Sequence, residues 1–150
     1  MARLNVLEYT ADVLRGWPRD GAVEMNYPSD ADFSNGDIVE VAADGKVAAA
    51  ADNSVAPALV VRGNADGKSS GGTGNLYTTA VPNICLFSNY VVRTSNVNAT
   101  GLVVGAQVGV VSGAWDVAAT AKVGTVLEVE TNVPDLDGNV QAAVAVILVK

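Results

Sequence analysis

The chain has 150 residues, 49% of them apolar, with a net charge of −7 and no histidine. That length suits one domain with a sizeable core, or two very small ones. The missing histidine excludes Ser-His-Asp and Cys-His nucleophile pairs and His-ligated zinc, and the acidic balance argues against a phosphate-tracking nucleic-acid groove or an anionic membrane as partner.

The apolar residues are mostly small, with 27 Val and 23 Ala against 10 Leu. Valine's branched β-carbon suits a pleated surface, and the Asp-Gly pairs, with Asn35-Gly36, mark tight turns. The composition therefore predicts an all-β fold, a small β-barrel or β-sandwich of short strands.

Residues 1–35 differ from the rest and read as an extended N-terminal arm ahead of a β domain at 36–150. They hold Tyr9, Trp17, Tyr27 and Phe33. Residues 7–15 suit a short helix, and Trp17-Pro18-Arg19-Asp20-Gly21 a turn. Val23, Met25 and Tyr27 alternate with Ala22, Glu24 and Asn26, as in a half-buried strand. Aromatic side chains concentrated in an irregular segment are expected to be buried, against the parent domain or against a partner subunit. No continuous apolar core of a signal peptide is present at the start, which predicts a protein made in a cytoplasm and kept there or assembled from there.

An internal repeat organises the rest. Residues 36–64 read GDIVEVAADGKVAAAADNSVAPALVVRGN, and residues 105–132 read GAQVGVVSGAWDVAATAKVGTVLEVETN. Gly36, Val39 and Val41 match Gly105, Val108 and Val110. Val47 matches Val117, and Val55, Leu59, Val61 and Asn64 match Val123, Leu127, Val129 and Asn132. Each copy reads as a strand, a turn containing glycine, an Ala-rich segment and a second strand.

Between the copies runs Arg62-Gly63-Asn64-Ala65-Asp66-Gly67-Lys68-Ser69, within a glycine-rich loop at 62–75. A phosphate-binding loop needs four residues between its glycines and a helix after them. Here Gly63 and Gly67 enclose three, and Ser70-Gly71-Gly72-Thr73-Gly74 opposes a helix. The stretch reads as a surface loop. A strand follows near 76–81, then an apolar run at 84–92. Cys85 is the lone cysteine, expected to be a buried, inert thiol. Asn98-Ala99-Thr100 fits a glycosylation acceptor but gains no support from a secretion signal. Asp135-Leu136-Asp137-Gly138-Asn139 reads as a turn, since no glutamate completes a calcium loop. Val140–Val149 is nearly all apolar and reads as a central or closing strand. Its apolar part is too short to cross a bilayer as a helix. The carboxylates of Asp30, Asp32, Asp37 and Glu40 read as a solvated face. No constellation supports catalysis, a metal site or a cofactor.

The phrases Gly36-Asp37-Ile38-Val39, Asp44-Gly45-Lys46-Val47-Ala48 and Val55-Ala56-Pro57-Ala58-Leu59-Val60-Val61 resemble those of tailed-phage head decoration proteins, also called capsid cement proteins. So do Val104-Gly105-Ala106-Gln107-Val108, Val117-Ala118-Ala119 and Val123-Gly124-Thr125-Val126-Leu127. Ala56-Pro57 stands where that family often carries glycine. The resemblance implies a β-rich, non-enzymatic protein made in the host cytoplasm. It would bind the major capsid protein on the outer surface of an expanded head, as a dimer or trimer, and stabilise the shell. With it, Tyr9, Trp17, Tyr27 and Phe33 become the expected partner-binding anchors, since buried aromatics dominate interface energies. Two other readings stand beside it: a phage tail-tube or other virion subunit, and an extracellular sugar-binding β module.

Overall fold

The computed structural model describes residues 10–15, 22–65 and 82–150. It is built from β-strands, as the valine-rich composition predicts. In chain order they are β1 (Ala11–Arg15), β2 (Glu24–Tyr27), β3 (Ile38–Val41), β4 (Val47–Ala49), β5 (Ala58–Arg62) and β6 (Asn83–Leu86). They continue as β7 (Tyr90–Thr94), β8 (Gln107–Val111), β9 (Ala114–Asp116), β10 (Gly124–Pro134) and β11 (Val140–Val149). One sheet runs β1-β7-β11-β10-β8-β9 and the other β2-β6-β5-β3-β4, with neighbours antiparallel.

The two orders are one order. If β2 to β6 are laid on β7 to β11, every pairing is reproduced, and β1 is an addition to the edge of β7. The atoms agree. Gly36 N–H donates to Val60 O at 2.8 Å and Val60 N–H to Asp37 O at 2.9 Å; Gly105 N–H donates to Val126 O at 2.8 Å and Val126 N–H to Ala106 O at 2.9 Å. Both glycines have positive φ, +94° and +87°, a conformation side chains disfavour. The ladder slips by one residue after Val60 in β5 and after Val126 in β10, so the copies share a β-bulge. Each sheet also curls back on itself. Val47 N–H on β4 reaches Pro28 O, just past β2, and Trp115 N–H on β9 reaches Asn96 O, just past β7.

The repeat is thus longer than its sequence trace and differently aligned. Trp115, not Val117, occupies the place of Val47, and Leu127 corresponds to Val61, not to Leu59. The cause is loop length. Residues 42–46 join β3 to β4, whereas Ser112-Gly113 alone joins β8 to β9, with φ of +51° and +75° as in a type I′ hairpin.

The alternation of side chains within the first copy builds two cores. Val39, Val47, Ala58, Val60 and Cys85 face inward with Phe33, while Ile38, Leu59 and Leu86 point the other way. These three join Tyr90, Val92, Val110, Trp115 and Ile147 of the second copy, so the largest cluster is shared between the halves.

Two local expectations are revised. Residues 11–15 form a strand, not part of a helix, because Val13 pairs with Val92 and Asp12 with Arg93; tertiary pairing overrides local propensity. The strand predicted from Val23 to Tyr27 forms as β2, yet Val23 and Met25 are exposed, because β2 is an edge strand. The run at 84–92 is two strands, parted at Asn89, whose φ is +54°. Val140–Val149 lies between β7 and β10, a central strand as expected. The turn expected at 17–21, residues 66–75 of the glycine-rich loop and the strand expected at 76–81 fall outside the described residues.

Candidate interaction surface

Of the four aromatic anchors predicted from sequence, Tyr9 and Trp17 lie outside the described residues. The other two are brought together. Tyr27, half-buried at the end of β2, meets Phe87 edge to face at 5.6 Å between ring centroids, and both rings pack on the first-half core. Phe33 is buried within that core beside Val39 and Val47, so its ring serves the fold.

The segment between β2 and β3 is held by a polar network that pattern reading missed. Asn64 and Asn83 are both buried. Asn64 N–H donates to Asn83 Oδ1, and Phe33 N–H donates to Asn64 Oδ1, each at 2.8 Å. Asn64 Nδ2 donates to Ala31 O and Ser29 Oγ, and Asn83 Nδ2 to Ser29 Oγ and Tyr27 O. Buried amides are stable only when paired in this way. The start of the glycine-rich loop is therefore a structural clamp. Its Gly63 passes so near the chain at Phe33 that an added Cβ would lie 1.7 Å from Phe33 O. An isolated asparagine in a strand-to-loop sequence carries no signal of such a role.

Of the carboxylates read as a solvated face, Asp30 and Asp32 are exposed and Asp37 and Glu40 are half-buried. Asp30 pairs with Lys46 at 2.7 Å, a hydrogen bond that raises the lysine's pKa. Asp37 Oδ2 accepts from Ser34 N–H, closing a turn. Asp135 Oδ1 accepts from the N–H groups of Asp137 and Asn139, so that sequence is the hairpin turn between β10 and β11. Among the described residues, no group of three or more Cys, Asp or Glu is placed to hold a metal ion. Cys85 is buried as expected, and burial pushes its thiol pKa up to about 12. Tyr90 Oη and Trp115 Nε1 are buried without a hydrogen-bond partner among the described residues, and burial raises the tyrosine's pKa.

A depression of about 270 Å³ lies on the second half, lined by Gln107, Lys122, Thr125 and Lys150 with Val55. It is open, and Lys122 Nζ already donates to Val117 O. The more distinctive surface is the outer edge of β2. Val23 and Met25 are 47% and 49% exposed there. Among the described residues, no strand lies beyond it. No family model, curated protein or solved structure matches this chain.

Proposed function

We propose that this chain is a non-enzymatic structural protein of a virus particle: a head decoration protein that binds the major capsid protein on the outer surface of a tailed-phage head. The observation that carries the reading is the position of the two resembling phrases. Gly36-Asp37-Ile38-Val39 and Gly105-Ala106-Gln107-Val108 open β3 and β8, each beginning with a left-handed glycine bonded to the bulged strand that follows, β5 or β10. The motif that suggested the family is thus the structural signature of a duplicated β unit. Docking is assigned to residues 1–35, with Tyr9, Trp17 and Tyr27 as contacts, and the protein acts as a dimer or trimer without nucleic acid, membrane or cofactor.

The test is to add the purified full-length chain to bare, expanded heads of its own phage. Co-sedimentation and a rise in the temperature at which the heads release DNA are expected, and W17A is expected to weaken binding at least about tenfold. A full-length chain that leaves the heads naked overturns the reading. Self-assembly into stacked rings would favour the tail-tube subunit instead.

A further inference from the structure

We infer that the outer edge of β2 is the contact surface for a second copy of this chain, the two β2 strands pairing antiparallel across a twofold axis. The inference concerns self-association alone and stands whether or not the protein binds a shell.

The molecule's own repeat supplies the argument. Position by position, β2 corresponds to β7: Met25 pairs with Cys85 as Val92 pairs with Ile147. Val92 and Tyr90 are fully buried, and β1 lies along their strand with Val13 opposite Val92. Their counterparts Met25 and Val23 are about half exposed. Among the described residues, the same strand is therefore covered in one half and open in the other. Open edges in monomeric proteins are usually protected by shortness, charged side chains (lysine above all), proline or a bulge; β2 is short and carries one charge, Glu24, but has no lysine and no bulge. β2 is Glu-Met-Asn-Tyr, with proline only after its end at Pro28.

The free backbone groups can be assigned. Val23 O accepts from Phe87 N–H, on the β6 side. Alternation then sends the N–H and C=O of Val23, Met25 and Tyr27 toward β6 and those of Glu24 and Asn26 outward. Pro28 O, the next outward group, does bond to β4.

A twofold axis perpendicular to the sheet keeps each face on the same side and opposes residues of like parity; the register assigned here centres it on Met25, which then lies opposite Met25 of the second copy. Val23 then faces Tyr27, and Glu24 faces Asn26. The apolar residues line one face, no carboxylate meets its own copy, and Glu24 and Asn26 exchange both backbone hydrogen bonds, four in all. The sequence of the edge is thus complementary to itself under one register, the requirement for an isologous contact.

The experiment is sedimentation of the full-length chain across a concentration series, without capsids. A reversible monomer–dimer equilibrium is expected. N26P removes an outward N–H that β6 does not use, so it should raise the dimer dissociation constant at least about tenfold, while the melting temperature taken at concentrations where both chains are monomeric stays unchanged. M25C gives an independent reading that does not depend on the proline variant folding. Opposed residues of this kind bring Cβ atoms to about 5 Å, and mild oxidation should yield a disulfide-linked dimer visible by intact mass. Wild type, whose Cys85 is buried, should not cross-link. A chain that stays monomeric throughout overturns the inference. So does an assembly of any order that N26P leaves intact and M25C does not cross-link.

Discussion

The two halves of this protein share strand order, register and bulge, yet their outward faces meet different surroundings. On the first half that face presents Ile38, Leu59 and Leu86, buried in the shared core. The corresponding positions on the second half are Gln107, Thr125 and Leu148, where Gln107 Nε2 donates to Thr125 Oγ1 at 3.0 Å. One copy of the unit has kept an apolar outer face to dock on its twin, and the other carries a polar one that water can cover. The lesson is that duplication supplies a scaffold, while the few positions that differ decide which surface is core and which is solvent.

The sharpest way to break either half is through backbone contact. G63A would drive a methyl group onto Phe33 O, and G109A would place one 1.9 Å from Ala121 O. Neither obstacle is a movable side chain, so each variant is expected to lose on the order of 4 kcal/mol or to fail to fold. Because Ile38, Leu59 and Leu86 cluster with Trp115 and Ile147, either lesion should unfold the whole chain in one transition. Chemical denaturation followed by tryptophan fluorescence and far-ultraviolet dichroism would show two separate transitions if the halves were independent.

The next effect compares one position in both copies. Trp115 fills the place held by Val47, and both are buried. W115A is expected to cost about 3–5 kcal/mol, and V47A about 2 kcal/mol, because the larger side chain leaves the larger cavity. Equal losses in urea denaturation would mean that the second-half core collapses around the deletion.

N83A tests a feature confined to the first half. Asn83 occupies the place of Ala145, so the second half folds without an amide there. Its removal strands Asn64 N–H and takes a side-chain donor from Tyr27 O and Ser29 Oγ, and a loss of about 2–3 kcal/mol is expected. Hydrogen exchange should rise at Phe33 and Asn64 before it rises in β8 or β10. Protection lost equally in both halves would show that the network serves the whole domain.

Much of this architecture was legible in the residues, for identifiable reasons. Valine alternation and glycine turns carry the all-β fold, and Gly36 and Gly105 mark the start of the repeat because both need the left-handed conformation. The rest of the repeat was hidden. Glu-Met-Asn-Tyr and Tyr-Val-Val-Arg-Thr are equivalent strands with almost no residue in common, since their equivalence lies in which strands they bond. The slipped alignment came from a hairpin loop of different length, which sequence similarity alone cannot place. Of the partner-binding candidates, Tyr27 is on β2, the edge strand among the described residues, while Phe33 is in the core, a difference that aromatic content could not reveal.

The smallest expected effect is also the most discriminating, because it compares two residues with the same conformation. Gly105 has φ of +87° and open space around its would-be Cβ, so G105A should cost about 1–2 kcal/mol from backbone strain alone. Gly36 has nearly the same φ, but its would-be Cβ lies 2.9 Å from Thr10 Cβ and 3.3 Å from Ala11 Cβ. There the extra strand β1 crosses the repeat, held by Ala11 N–H donating to Asn35 Oδ1. G36A should therefore cost about 1 kcal/mol more than G105A, the surplus coming from β1 being pushed aside. The surplus should vanish if T10G and A11G are introduced beside G36A, since they remove the side chains that the new methyl group meets. If the two glycine variants match in urea midpoint from the outset, β1 yields at no cost, and its attachment to β7 does not constrain the first half.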